Sequence, residues 1–519
     1  MNQSLFTYSE DENMYISKDN IAYADGSEDF FINLFTSNQS RSEDALQVHI
    51  KDWATKYHLS PNRENVICHF SDLFNKEGRV LEIGAGMGAI TRYLAANFKH
   101  VDCMEGSLSR AKALRARAKR MKNVDIYVGN AINANLNKNE YDLATLIGVL
   151  EYIPFYSEKP QEESVTEFLR SVSAALTDEG ILVIAIENKF GLKYFSGCAE
   201  DHNGIPFSQI MDYPLKSPVT FGRNELEGLI KSAGFESVQF YHAFPDYKFP
   251  NSIFRECEEI YKLNPDIFWP NQVADNMPRR HLFFEPLAAY SIYKEKMSRF
   301  FSNSFIVLCS KSPNVNLKTN WLYSKWSNYM IKDEFQSITK ILPDKGCGFF
   351  TEKRFKNGDK SRISEGTFSV NLSGRRYIHG EPMLLTAYKA LLAKDNFETF
   401  VNLLKEIKTE LSKFSREKDN DGYDLVSGQY FDYTFWNLVR QNGRFIYIDA
   451  KWNFKLKIPA DLIIYRNITE LFKRCNGYYS VYYNFVESLL SRVFALEKGP
   501  RVKYLAAFDS KLSSFFIKD

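Results

Sequence analysis

The sequence predicts an α/β protein with a mainly parallel sheet, joined to a second domain of α+β class. Three observations support this fold class. Short apolar segments alternate with helical segments between residues 79 and 245, as in βαβ units. A glycine-rich loop follows the first of these strands. Beyond residue 313, hairpin and paired-helix patterns replace the alternation.

Composition restricts the class of protein. The 519 residues are too many for one core, and 44% apolar content is ordinary for globular domains. The formal charge of +2 predicts no nucleic-acid partner. Seven scattered cysteines without a CxxC pair suit a reducing compartment and argue against structural zinc. No apolar run approaches the ~20 residues of a membrane helix, so we expect a cytoplasmic protein without a transmembrane segment.

We divide the chain into three parts. Residues 1–78 are predicted to form a helical lid, 79–312 the α/β domain, and 313–519 the α+β domain. An insertion at about 246–302, rich in aromatic residues and proline, is expected to cover the site. The predicted strands of the α/β domain are 79–84, 100–105, 124–129, 141–148, 180–188, 235–244 and 303–311. The predicted helices are 88–97, 107–121, 162–176 and 223–233.

The second domain has its own local signals. Residues 346–359 are predicted to form a hairpin, and 381–414 a helical pair broken at 394–396. Residues 424–452 are predicted to form a loop and then a hairpin, because Asn442-Gly443 favours a tight turn between strands.

The glycine-rich segment VLEIGAGMGAITRYLA runs from Val80 to Ala95. Glycine tolerates positive φ and lets a ligand approach the backbone closely, and the amides at the start of a helix favour a polar or anionic group. Glu105 ends the next strand about twenty residues later, where a carboxylate can accept both hydroxyls of a ribose. These features predict a nucleoside-containing cofactor, and taken alone they leave NAD open.

Four motifs in order resemble class I S-adenosyl-L-methionine (SAM) methyltransferases: E-x-G-x-G-x-G, E-G-S, Y-V-G-N-A and Y-D-L-A-T-L-I-G. The resemblance covers residues 79 to about 245 and implies a Rossmann-like sheet with SAM as cofactor. Asn130 stands where the family usually has Asp, and its amide oxygen can still accept from the adenine amino group. The resemblance implies cofactor contacts by Glu82, Gly84, Ala85, Gly86, Gly88, Glu105, Gly106, Asn130, Ala131 and Gly148.

The segments after the fourth and fifth strands indicate the class of methyl acceptor. The [DN]PPY segment of many enzymes that methylate bases or amide nitrogens is replaced by IGVLEY at 147–152, which favours a small-molecule, lipid or sugar acceptor. Glu151, Glu187 and His202 are the candidate catalytic bases, and Asn188 is a candidate substrate contact. A cap or ion pair is the alternative role for Glu151, and a structural role is the alternative for His202.

Further strings between about 45 and 310, such as WATKYHLSPNRENVI and FPDYKFP, resemble large bacterial methyltransferases found with cell-surface polysaccharide synthesis. This resemblance implies a glycan or glycolipid precursor as substrate, with glycosyltransferases as partners at the inner membrane face. It also implies that His58 and Arg63 belong to a lid that closes on SAM or the acceptor. Ordinary helix packing is the alternative role for both.

The second half carries Asp432, Asn437 and Asp449, a spacing that resembles protein kinases. The resemblance implies that Asp432 orients an acceptor hydroxyl, that Asn437 and Asp449 hold Mg²⁺, and that Lys353 pairs with the phosphates of ATP. The sequence departs from that family, because no histidine precedes Asp432 in the kinase manner and no glycine-rich phosphate loop is evident. A non-catalytic scaffold and a bifunctional methyltransferase-kinase are the alternatives to a methyltransferase alone.

Overall fold

A computed structural model describes residues 5–24, 26–37, 43–265, 279–327, 330–344, 346, 348–356, 358, 361–475, 483–494 and 499–518. The chain divides into two compact units. The first unit contains Met1–Glu256 and Ser298–Asn320, and the second contains Cys257–Val273, Arg279–Met297 and Trp321–Asp519. The division thus falls after Asn320, and much of the segment predicted as an insertion groups with the second unit.

Ten strands of the first unit lie side by side in a sheet. These are Thr7–Ser9 (β1), Met14–Ile16 (β2), Arg79–Ile83 (β3), His100–Glu105 (β4), Val124–Val128 (β5), Tyr141–Ile147 (β6), Leu176–Glu187 (β7), Ser237–Phe244 (β8), Ser252–Arg255 (β9) and Ser304–Ser310 (β10). Their order is β1-β2-β5-β4-β3-β6-β7-β10-β8-β9. Neighbours from β2 to β7 are parallel, whereas β10 is antiparallel to β7 and β8. The predicted strands of this domain are confirmed.

The first unit has ten helices among its described residues, and some of them pack against this sheet. The ten helices are Glu28–Ser37, Trp53–Leu59, Asn65–Cys68, Thr91–Asn97, Leu108–Arg117, Ile153–Tyr156, Gln161–Ala175, Leu192–Phe195, Arg223–Ser232 and Ser298–Phe301. The helix Gln161–Ala175 shows why: Val165, Phe168, Leu169 and Val172 recur every three or four residues and are buried in the sheet core.

The N-terminal region contains strands that the prediction of a helical and loop region did not include. β1 and β2 form an antiparallel hairpin, and β2 pairs in parallel with β5, so this region extends the sheet. The rings of Tyr15 and Tyr127 stack at 4.8 Å across this pairing. Two three-residue strands give too short an alternation to identify from sequence, because the edge of β5 supplies their hydrogen bonds.

The second unit contains thirteen short strands and six helices among its described residues. The strands are Tyr323–Trp326 (β11), Ser337–Asp344 (β12), Gly348–Phe355 (β13), Arg362–Glu365 (β14), Phe368–Asn371 (β15), Arg375–Arg376 (β16), Glu381–Pro382 (β17), Glu417–Lys418 (β18), Asp424–Ser427 (β19), Leu438–Gln441 (β20), Arg444–Tyr447 (β21), Trp452–Phe454 (β22) and Lys457–Pro459 (β23). The helices are Glu285–Lys294, Met383–Leu391, Glu398–Ser412, Ala460–Arg474, Tyr483–Phe494 and Gly499–Ser513.

Two of the three local predictions for the second unit are confirmed, and the kinase-like fold stays a prediction. The helical pair and the Asn442-Gly443 hairpin form as expected. The hairpin expected over 346–359 is wrong, because β13 is a single strand that pairs with the preceding β12. Across the described part of the chain, none of the helices combines the length and apolar character needed to cross a bilayer.

Candidate functional site

The first unit has its site where the strand order reverses. The chain runs from β3 outward to β4 and β5, then returns to the other side of β3 for β6 and β7. Crossover connections at such a point leave a crevice at the carboxyl ends of the strands, and ligands of open α/β sheets bind there. A cavity of about 660 Å³ occupies this position.

The glycine loop forms one wall of the cavity. Gly84 has a φ of +76°, and a Cβ atom there would lie 2.3 Å from Cγ2 of Val149. Gly84, Ala85 and Gly86 all line the cavity, so their backbone is open to a ligand. Gly88 lies outside the lining, because a Cβ there would meet Leu114 at 2.8 Å. Its predicted cofactor contact is therefore replaced by close packing against the following helix.

Glu105 lies at the carboxyl end of β4 and lines the cavity. Its Oε2 accepts from the amide of Gly86 at 2.7 Å, and its Oε1 accepts from the amide of Ser107 at 3.0 Å. A carboxylate has about four lone-pair sites, so two are left for hydroxyl donors. Glu105 therefore both fixes the glycine loop and offers acceptors to a ribose.

The other predicted cofactor residues also reach the cavity. Glu82, Gly106, Asn130, Ala131 and Gly148 belong to its lining. Glu82 accepts from the Thr91 hydroxyl at 2.6 Å, and burial raises its pKa to about 7. Asn130 caps the turn that follows β5, since its Oδ1 accepts from the amide of Ile132 at 3.1 Å. Its capping role and its place in the cavity wall coexist.

A strap from the N-terminal region, residues 17–23, closes the side of the cavity near Glu105. The amide of Ile21 donates to the carbonyl of Gly106 at 2.8 Å, and the amide of Asn130 donates to the carbonyl of Asp19 at 2.8 Å. Ile21 and Tyr23 thereby enter the lining. Sequence analysis missed both, because their position depends on pairing with β5.

His58 and Arg63, predicted as lid residues, also line the cavity. Arg63 donates to the Lys248 carbonyl at 2.7 Å and to the Tyr57 hydroxyl at 3.1 Å. The His58 ring packs edge-on against Phe31 at 4.9 Å. Both side chains are buried, so packing and cavity lining coexist in them.

The three candidate bases converge on the opposite wall, beyond β6 and β7. The ligand atoms of Glu151, Glu187 and His202 lie within 4.8 Å of one another, and all three residues line the cavity. His202 Nδ1 is 2.8 Å from Glu200 Oε1, and its Nε2 is 3.6 Å from Glu151 Oε1.

Protonation of this wall follows from burial and charge. Burial works against a charge on His202, but hydrogen bonds to Glu151 and Glu200 outweigh it and raise its pKa well above the ordinary value. Burial also raises the pKa of Glu151. These hydrogen bonds favour the protonated form of His202, which is a poor proton acceptor.

Residues that sequence analysis missed complete the wall. Lys248 contacts Glu187 and lies 3.0 Å from Asp201 Oδ1, and Lys193 lies 2.7 Å from Asp201 Oδ2. The Tyr247 hydroxyl would lie 2.8 Å from a Cβ on Gly148. The string FPDYKFP signalled this loop, although its spatial partners were not visible from the sequence.

Asn188 lies outside the cavity lining. Its amide nitrogen donates to the carbonyls of Phe300 at 2.7 Å and Ser302 at 2.8 Å, and its oxygen accepts from the amide of Phe190. The prediction of a substrate contact is therefore corrected, because the whole amide group braces neighbouring segments.

The second unit brings together the residues with kinase-like spacing. Lys353 Nζ lies 2.6 Å from Asp449 Oδ1. Asn437 Nδ2 donates to Asp432 Oδ2 at 2.7 Å. Arg466 lies 3.5 Å from the other oxygen of Asp432. Burial raises the pKa of Asp432.

Cationic groups surround this pair of acids. Burial opposes a charge on Asp449, but Lys353 and Lys451 outweigh it and lower its pKa to about 2. Burial and the neighbouring cations Lys451 and Arg474 lower the pKa of Lys325 to about 8. The described residues between β13 and β17 form strands and no helix, so no helix there supplies a glutamate partner for Lys353. The carboxylate partner of Lys353 is Asp449.

Comparisons with known proteins find similarity within the first unit. Residues 81–182 match the family model described as a methyltransferase domain. The chain is 31% identical over 144 residues to an uncharacterised methyltransferase of Staphylococcus carnosus (strain TM300), covering 26% of this chain and 64% of that protein. This chain thus spans less than two thirds of the length of that relative.

Two solved structures are also similar. One is a SAM-dependent methyltransferase of Thermotoga maritima, a possible histamine N-methyltransferase, with 17% identity, a TM-score of 0.28, and coverage of 54% of this chain and 100% of that chain. The other is phosphoethanolamine N-methyltransferase 2 of Haemonchus contortus, with 14% identity, a TM-score of 0.31, and coverage of 49% and 53%. Within the first unit, residues 81–182 thus match a methyltransferase domain, and the glycine loop lies inside this matched region.

Proposed function

We propose that this protein transfers a methyl group from SAM to a hydroxyl or amine of a glycan or glycolipid precursor in cell-surface polysaccharide synthesis. The observation that carries the proposal is the cavity at the strand-order reversal, with the glycine loop on one wall and buried titratable groups on the other. The glycan context rests on the sequence resemblance alone.

The cavity residues fit SAM. Gly84 and Gly86 offer bare backbone, Glu105 keeps acceptor sites for a ribose, and Asn130 lies on the same side. When bound, SAM supplies an electrophilic methyl group. The chain then has to position the acceptor and exclude water, which lowers the entropy cost of an in-line displacement.

Calorimetric titration of the full chain with SAM tests this function. We expect saturable binding with one site, followed by methyl transfer to polysaccharide precursors in a cell extract. A chain that binds no SAM would instead favour the scaffold alternative, a SAM-type fold that organises glycosyltransferases at the inner membrane face. In either case we propose a cytoplasmic location, without nucleic acid as partner.

A second candidate function is ATP–Mg²⁺ chemistry in the second unit. The Lys353–Asp449 ion pair and the Asp432–Asn437 hydrogen bond favour it. In this proposal Lys353 pairs with phosphate, Asn437 and Asp449 hold Mg²⁺, and Asp432 orients an acceptor hydroxyl.

Titration with ATP and MgCl₂ separates the two functions. We expect Asp449→Ala to abolish ATP binding and to leave SAM affinity unchanged. Equal ATP affinity in the variant and the wild type would reject the bifunctional form and leave a methyltransferase with a non-catalytic second unit.

A further inference from the structure

The wall of the cavity formed by Glu151, Glu187 and His202 buries two carboxyl groups. Glu151 and Glu187 are each only 1% exposed. Among the described residues, the Oε2 atom of each has no hydrogen-bond partner. Buried carboxylate oxygens are costly without donors, so two such atoms in one cavity wall indicate that a ligand supplies the donors.

The charges of the network point to the sign of that ligand. Four carboxylates face three cationic groups: Glu151, Glu187, Glu200 and Asp201 against His202, Lys193 and Lys248. Asp246 and Arg63 lie beside the network and add one charge of each sign. Counted in their charged forms, these groups include one more acid than base, which favours a ligand with a positive charge.

The oxygens already in use are also informative. Oε1 of Glu187 contacts Lys248, and Oε1 of Glu151 faces His202. Both oxygens of Glu200 are occupied, by the His202 ring and by the amides of His202 and Asn203. Within this network, the oxygens without a partner among the described residues therefore belong to Glu151 and Glu187, and both residues line the cavity.

We propose that the methyl acceptor is an amine, held as an ammonium ion by the Oε2 atoms of Glu151 and Glu187. This inference rests on the proposed methyltransferase function and narrows its acceptor class. A hydroxyl acceptor would bring a single O–H donor for two oxygens and no positive charge. An ammonium ion has N–H donors for both oxygens and the charge that the network lacks.

The transfer step balances. The ammonium ion first gives one proton to the Glu151 carboxylate, whose pKa burial raises. The neutral nitrogen then forms an N–C bond to the methyl carbon as the C–S bond breaks, and the electron pair of that bond stays on sulfur. The positive charge moves from sulfur to nitrogen, where the carboxylate of Glu187 stabilises it. S-adenosylhomocysteine (SAH) and the methylated ammonium ion are released.

Ligand affinity tests the inference without knowledge of the acceptor. Sinefungin carries an amino group where SAM carries its methyl group, and SAH carries neither. We expect the full chain to bind sinefungin more than fivefold more tightly than SAH. Glu151→Gln and Glu187→Gln should reduce this preference below fivefold with SAH affinity unchanged, while Glu179→Gln, on the exposed start of β7, should retain it.

A wild-type preference of fivefold or less would overturn the inference, and so would a preference that survives in both cavity variants. Failure to bind SAH would instead overturn the proposed function. Acceptor turnover gives a second test, with glucosamine and glucose as a pair that differs by an amino group for a hydroxyl. Release of SAH with glucosamine supports the inference. Faster release with glucose contradicts it, and so does release that EDTA abolishes, because a metal ion would then be the cation at this wall. If neither sugar reacts, the affinity ratio decides.

Discussion

The two units of this protein each hold a charged cluster, buried in the first unit and partly exposed in the second, and the clusters carry opposite excess charge. In the first unit, Glu151 and Glu187 leave carboxylate oxygens without partners in the cavity wall. In the second, Lys325, Lys353 and Lys451 outnumber Asp449, and the pKa of that acid falls accordingly. The sign of a buried excess predicts the sign of the ligand, so the first cluster suits a cation and the second suits a phosphate-bearing anion.

The largest expected effect tests the backbone of the first unit. Gly84→Ala places a Cβ in a left-handed conformation and against Val149. We expect the free energy of unfolding of the first unit to fall by about 2–4 kcal/mol, together with loss of SAM binding. Gly204→Ala is the control, because Gly204 has a φ of +70° with open space around it. Equal losses in both variants would show that the contact with Val149 is unimportant.

The second prediction concerns the ribose contact. Glu105→Ala removes a carboxylate that holds the Gly86 amide and faces the cavity. We expect SAM binding to weaken by about 1.5–3 kcal/mol, the scale of a lost hydrogen bond to a charged group. ATP binding to the second unit should not change. SAM affinity within twofold of the wild type, measured by calorimetry, would mean that the ribose lies elsewhere.

The third prediction uses acid to test the second cluster. The pKa of Asp449 is lowered to about 2, below its unfolded value of about 3.9. Its contribution to stability is therefore complete above pH ~4 and is lost as the pH falls toward 2. Lys353→Met should remove about 1–2 kcal/mol of stability at pH 7, because Asp449 is partly exposed and solvent screens the pair. In the Lys353→Met variant, hydrogen exchange across pH 2–6 should show that the stability of the second unit depends less on pH than in the wild type. An unchanged pH dependence would contradict the pairing.

The smallest expected effect concerns how the stability of the first unit depends on pH. Hydrogen bonds to Asp102 and Asp125 raise the pKa of His100 to about 9. A raised folded pKa stabilises fully below pH ~6.5, and this stabilisation is lost between pH 6.5 and 9. His100→Gln should remove about 1 kcal/mol at pH 6, since the ring is partly exposed. Thermal unfolding at pH 6 and pH 9 measures the difference, and a variant with the wild-type slope would refute the assignment.

The difference between local and distant contacts explains what the sequence could predict. The glycine loop, Glu105 and the end of β6 are read locally, because a strand, a turn and a helix follow one another in the chain. The strap at Ile21 and the partners of Glu187 were missed, because each depends on a contact with a distant segment, such as Lys248. Asn188 was misread for the same reason, since its amide is used by residues more than a hundred positions away.

The strap has a consequence for synthesis on the ribosome. The walls of the cavity extend in sequence from Ile21 to Lys248, and β2 finds its partner β5 only after residue 128 has been made. The N-terminal hairpin must therefore wait, unpaired, while the intervening strands emerge. A nascent chain shorter than about the first half of the protein has no complete cofactor pocket, so ligand binding stabilises the protein only after that point in translation.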